Sequence, residues 1–201
     1  TFPREMEGQP VGAYLLITLD SDSEDQLYTL LEQAAELVLD AGAMDVLVAD
    51  SPAKMRDAWA ARSAFLEVIM EETKLLDECD VVVPVTKIAS YLEFVNKTGE
   101  ECGLVIRSFG HAGDGNLHIY ECSNDLTEEE FKKRVDKFFD LIYKEASAQG
   151  GLVSGEHGIG SGKIQYLVES IGETNMALME GIKRVFDPKM ILNPGKVCYR
   201  L

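Results

Sequence analysis

Ser108-Phe109-Gly110-His111-Ala112-Gly113-Asp114-Gly115-Asn116-Leu117-His118-Ile119-Tyr120 places two of the chain's three histidines on either side of a Gly/Asp/Asn cluster. Leu104 to Arg107 before the cluster and Leu117 to Tyr120 after it read as strands. Asp114-Gly115 signals a hairpin, because a type I′ turn needs positive φ at both central residues. A two-residue loop there predicts His111 directly opposite His118, on one face, with Cβ atoms about 4.5–5.5 Å apart. Two imidazoles at that separation suit one shared metal ion. The spacing His-x6-His is a weak signature alone, and the turn supplies the signal.

The third histidine follows a carboxylate, in Leu152-Val153-Ser154-Gly155-Glu156-His157-Gly158-Ile159-Gly160-Ser161-Gly162-Lys163. Five glycines from Gly151 to Gly162 weaken regular structure, so this is a loop in which the backbone turns sharply or a ligand comes close. His111, His118 and Glu156 together offer a two-nitrogen, one-oxygen set suited to Zn, Mn or Fe(II). Three protein ligands leave coordination positions open, as a catalytic metal requires. His157 then points elsewhere and is available as a neutral general base near neutral pH. Arg62, Arg107 and Lys163 are the candidate partners for a substrate carboxylate. Gly158 to Lys163 matches neither phosphate-loop nor dinucleotide spacing.

Around these segments the chain reads as βαβαβα, a hairpin, then helices. A linker over residues 1–10 leads to a buried strand over Ala13–Leu19. Ser23 with Gln26 opens a helix to about Ala41, with Leu27, Leu30, Leu31, Ala34, Leu37 and Val38 as its apolar stripe. Met44 to Ala49 is a second strand, and Ser51-Pro52 starts a long helix reaching about Leu76. Cys79 to Val85 is a third strand, and a helix from Thr86 to about Gly99 precedes the hairpin. Thr127 with Glu130 caps a helix ended by Gly150-Gly151. A short helix after Gly162 and a final one ended by Asp187-Pro188 complete the chain. Alternating elements with an antiparallel hairpin favour an α+β fold, a ferredoxin-like antiparallel sheet covered by helices.

With 201 residues, 46% hydrophobic and 27% charged, the chain suits a soluble globular domain with a real core. A net charge of −16 argues against nucleic acid or an anionic membrane as partner. No apolar run approaches the ~18 residues of a membrane span. Residue 1 is threonine rather than methionine, and we read the chain as part of a longer one. Cys79, Cys102, Cys122 and Cys198 form no CxxC and are expected to be reduced core residues of a cytoplasmic protein.

Three phrases, Gly110 to His118, Ser154 to Gly160 and Leu192-Asn193-Pro194-Gly195-Lys196, together resemble the C-terminal domain of FAD-linked oxidases. That family includes D-lactate dehydrogenase, D-2-hydroxyglutarate dehydrogenase and the flavin-binding component of glycolate oxidase, and the resemblance covers essentially residues 1–201. It implies a ferredoxin-like cap over a flavin held by an N-terminal FAD-binding domain, of which no pyrophosphate loop occurs here. It implies that His111, His118 and Glu156 hold a divalent metal gripping a small 2-hydroxy acid, with His157 as the base. It further implies Arg62 at the substrate carboxylate, and Asn193 and Lys196 near the flavin. An iron–sulfur subunit or an electron-transferring flavoprotein is the implied electron partner. Dicarboxylate-specific members carry lysine just before the third strand, where Glu78 and Asp80 stand here, and asparagine where Tyr120 stands. Those departures favour D-lactate or glycolate. Two other readings remain open: a non-catalytic metal or small-acid binding module, and a metal-dependent hydrolase.

Overall fold

A computed structural model of the chain describes residues 3–198. The chain divides into two compact units, the first ending at Val68 and the second beginning at Ile69.

In the first unit, strands β1 (Glu5–Met6) and β2 (Gln9–Pro10) pair antiparallel. Their two-residue turn, Glu7-Gly8, has positive φ at both positions, the conformation of a type I′ turn. The segment expected as linker therefore holds a small hairpin; residues 1 and 2 lie outside the described residues. Helix α1 (Glu24–Asp40) starts where expected, with the Ser23 side chain accepting from the backbone N–H of Gln26. Its stripe is half-buried, except that Leu37 is exposed. The runs 13–19 and 44–49 form no strand, and Leu15 and Leu47 are exposed. Apolar β-branched content favours a strand only where a partner edge supplies ladder hydrogen bonds, and these runs have none.

Ser51 caps α2 (Pro52–Ser63), with Pro52 in its first turn. The long helix expected there is interrupted: Ala64 is the C-cap of α2, and α3 (Phe65–Glu72) follows. Leu75 and Leu76, expected to be helical, instead pair with Ser123 and Cys122 as the start of a strand.

The second unit is built on a three-stranded antiparallel sheet ordered β3 (Leu75–Val82), β5 (Asn116–Ser123), β4 (Val105–His111). This gives the expected α+β architecture, with helices covering the sheet. On one face, Cys79, Val81, Leu117 and Ile119 meet Tyr91 and Val95 of α4 (Ile88–Cys102) and Phe131, Val135, Phe138 and Ile142 of α5 (Glu128–Ala148). Each such large apolar side chain contributes roughly 1.5–3 kcal/mol on burial. The Tyr91 hydroxyl, inside this core, donates to the Ile142 carbonyl at 2.9 Å. Gly103, left-handed, ends α4, and the Thr127 side chain caps α5 as expected. The last helical stretch, α6 (Ile164–Phe186), is broken at Gly172, so the two helices expected there are present. All four cysteines are buried and free.

The hairpin loop between β4 and β5 is longer than expected. His111 pairs with Asn116 and Phe109 with His118, leaving a four-residue loop from Ala112 to Gly115. The His111 carbonyl accepts from the N–H of Gly115 at 3.0 Å, and Asp114 Oδ1 accepts from the N–H of Asn116 at 2.9 Å. Asp114 thus bonds its own backbone two residues on instead of sitting at the centre of a two-residue turn. Gly115 has φ +80°, and a Cβ there would collide with the Val83 carbonyl, to which the loop is packed.

Candidate functional site

The sheet face opposite the helical core gathers the polar groups. Asp80, His118 and Phe109 stand side by side across β3, β5 and β4, as do Glu78, Tyr120 and Arg107. Side chains alternate along a strand, so both rows share one face, and His111 joins them two residues beyond Phe109. His111 and His118 are therefore diagonal neighbours rather than opposed ones. Their ring centroids lie 6.0 Å apart, close to perpendicular. A shift of two residues from the expected register keeps every side chain on its face, so the pair survives the correction.

Glu156 and His157 reach this face from the glycine loop. Leu152 exchanges two backbone hydrogen bonds with Val82, at 2.8 and 3.0 Å, which ties the loop to β3. The chain then wraps around the fully buried carboxylate of Asp80. Asp80 Oδ2 accepts from the Ser154 hydroxyl at 2.9 Å and from the N–H groups of Gly155, Glu156 and His157 at 2.7, 3.0 and 3.2 Å. Its other oxygen pairs with the Lys163 ammonium. Burial alone would raise the Asp80 carboxyl, but Lys163, the backbone donors and Ser154 together hold it well below the ordinary carboxylate range. Gly155 is required by contact: a Cβ there would press into the Asn116 side chain and Val82. Lys163, a candidate for substrate carboxylate, is thus committed to Asp80.

The result is a stack of imidazoles between two carboxylates. His118 is 4% exposed, and its ring lies 4.8 Å from that of the exposed His157, inclined by 28°. Glu156 Oε1 lies 3.1 Å from His118 Nε2 and 3.9 Å from His157 Nε2. At the other edge, Glu78 Oε1 lies 2.8 Å from His157 Nδ1 and 3.8 Å from His118 Nδ1. The 2.8 Å approach is off the line of the ring N–H and makes no hydrogen bond; Glu78 Oε1 and His118 Nδ1 are both buried without one. Phe109 closes the group on the β4 side, stacked on Tyr120 at 5.2 Å.

The donor set fits a divalent metal. Ligand atoms of His111, His118 and Glu156 all lie within 4.8 Å of one another, as do those of Glu78, His118 and His157. Burial of His118, reinforced by the nearby His157, lowers its imidazole pKa despite the two carboxylates. It is therefore neutral near neutral pH, the form that binds a metal.

The structure thus brings together His111, His118, Glu156 and His157. Arg62 lies in the last turn of α2, in the first unit. Asn193 and Lys196 are exposed in the closing segment, where Asn193 has φ +46°. Asp80 and Glu78 were missed as site residues. Their signal was available: two carboxylates two residues apart, on one face of the run from Leu75 to Val83, whose one other charged residue, Asp77, falls on the opposite face. No helix among the described residues is long and apolar enough to cross a membrane.

The family described as FAD linked oxidases, C-terminal domain, matches residues 4–197. A D-lactate dehydrogenase of Anaerostipes hadrus is 60% identical over 200 residues, 100% of this chain and 42% of the relative. Glycolate oxidase subunit GlcD of Bacillus subtilis is 31% identical over 94% of this chain and 40% of its own length. A D-2-hydroxyglutarate dehydrogenase of Stutzerimonas stutzeri is 28% identical over 92% of this chain and 40% of its own. The chain spans about two fifths of the length of these relatives.

Proposed function

This chain belongs to the FAD-linked oxidase C-terminal domains, and we propose that it binds the metal and substrate of a flavin-dependent 2-hydroxy-acid dehydrogenase. The observation that carries this reading is the convergence of His111, His118 and Glu156, with His157 stacked on His118 at the same edge. A D-lactate dehydrogenase at 60% identity, against 28% for a D-2-hydroxyglutarate dehydrogenase, favours a short monocarboxylate, with D-lactate before glycolate. Glu78, beside both buried-edge nitrogens, adds negative charge that disfavours a second substrate carboxylate.

His111, His118 and Glu156 would hold the divalent ion. When bound, that ion supplies a Lewis acid that lowers the pKa of the substrate hydroxyl, and FAD supplies the two-electron acceptor. His157 Nε2 takes the hydroxyl proton while the α-carbon gives up its hydrogen with both electrons, leaving a 2-oxo acid. Asp80 holds the backbone of both Glu156 and His157, so ligand and base keep a fixed separation. Arg62 at the substrate carboxylate, and Asn193 and Lys196 near a flavin held by an N-terminal FAD-binding domain, rest on their motifs. An iron–sulfur subunit or electron-transferring flavoprotein as next acceptor rests on the resemblance alone.

The test uses the flavin-loaded holoenzyme with D-lactate and an artificial electron acceptor. Chelation is expected to abolish turnover, and Zn²⁺, Mn²⁺ or Fe²⁺ to restore it. His157→Asn should lower kcat by about 10²–10⁴-fold while metal content stays at the parent level. A variant that keeps parent kcat would remove His157 from the role of base.

A further inference from the structure

Both imidazoles of the stack share one orientation. Their Nε2 atoms face Glu156, at 3.1 Å for His118 and 3.9 Å for His157. Their Nδ1 atoms face Glu78, at 3.8 and 2.8 Å respectively. Glu78 Oε1 is enclosed and makes no hydrogen bond, and His118 Nδ1, on a side chain 5% exposed, is equally unpartnered. Two buried polar atoms that face each other without bonding cost free energy, which a small rotation toward alignment recovers. Hydrogen bonds of this kind are often misaligned before the substrate complex forms.

We propose that Glu78 is the positioning carboxylate of this site, taking the Nδ1–H of both His118 and His157 and so leaving both Nε2 atoms bare. The inference rests on the function proposed above and adds a residue to it. A neutral imidazole has one bare nitrogen, and the hydrogen bond at the other decides which one it is. A metal-ligating histidine commonly gives its second N–H to a carboxylate, which fixes the ring and raises its basicity. Here one carboxylate serves ligand and base together. Glu78 stands on β3 opposite Tyr120, so the sheet fixes its backbone.

The alternative role for Glu78, as a ligand in a set with His118 and His157, fits less well. Two donors on one tetrahedral ion with bonds of about 2.1 Å stand about 3.4 Å apart. Glu78 Oε1 and His157 Nδ1, at 2.8 Å, stand well inside that separation, and closer than Glu156 Oε1 and His118 Nε2 at 3.1 Å.

The test compares Glu78→Ala, Glu78→Gln and Glu78→Asp with the parent in the flavin-loaded holoenzyme. Zn²⁺ affinity is read by chelator competition, and kcat and KM for D-lactate are read separately. Glu78→Ala should weaken Zn²⁺ about 10–100-fold and lower kcat with a smaller change in KM. Glu78→Asp should recover part of both. Glu78→Gln, near in shape but uncharged, should fall between parent and alanine, and it keeps the test open should the alanine variant fail to fold. Zn²⁺ affinity and kcat in Glu78→Gln and Glu78→Ala within about twofold of parent would overturn the proposal. So would a second bound Zn²⁺ per chain that Glu78→Ala removes, since Glu78 would then be a ligand. If His157→Asn also kept parent kcat, the failure would lie with the proposed function itself.

Discussion

Asp80→Ala is expected to lower the unfolding free energy by about 3–5 kcal/mol, the usual cost of removing one partner from a buried ion pair. The Lys163 side chain is 15% exposed and would keep its charge with no counterion. Three backbone N–H groups and the Ser154 hydroxyl would lose their acceptor at the same time. Urea unfolding measures the loss directly as a lower midpoint. Asp80→Asn keeps the volume and one acceptor oxygen, so it should unfold less readily than the alanine variant. Both should lower kcat, because Glu156 and His157 lose their common anchor. The pH dependence has a definite sign. Asp80 is held below its ordinary value, so its contribution is fully present above pH ~4 and fades as pH falls toward its folded pKa. The stability gap between parent and Asp80→Asn should therefore narrow on acidification below pH ~4. A constant gap across that range would mean that the charge of Asp80 contributes nothing.

His118→Ala is expected to remove high-affinity metal binding, by more than the roughly 10–100-fold that outer-shell losses cost. It should abolish turnover of D-lactate with it. His118 lies between the rings of Phe109 and His157, so its removal also leaves a hole in packed structure. His111→Ala separates the two effects, because His111 is exposed. That variant should lose metal and activity to a similar degree and unfold at nearly the parent urea concentration. Metal analysis of the two purified variants checks the prediction. Retention of metal by both would show that the ion sits elsewhere.

Local chemistry was the most legible part of the sequence. Ser23, Ser51 and Thr127 cap helices as expected, since a cap depends on a side chain and the backbone three residues away. The grouping of His111, His118, Glu156 and His157 was legible because turn-rich segments carry all four. What lay beyond the sequence was long-range pairing. The loop after His111 is two residues longer than the Asp114-Gly115 signal implied, because Asp114 bonds the N–H of Asn116. The run 13–19 reads as a buried strand by composition, yet Tyr14, Leu15, Leu16 and Ile17 are exposed and form no ladder. Asp80 stood out locally only as a carboxylate two residues from Glu78. Its value depends on Ser154 and Lys163, more than seventy residues away by number, and no local pattern announces that meeting.

Asp80 has a further consequence for how the site moves. The backbone from Gly155 to His157 lies in an exposed loop, where fraying on fast timescales is the ordinary expectation. Here its amides bond to a carboxylate on β3, which faces the central strand of the sheet. Opening them to solvent exchange requires breaking a buried charge cluster. The loop therefore belongs to the same cooperative unit as the core strands, and Glu156 and His157 leave their places on the sheet face only when that unit opens.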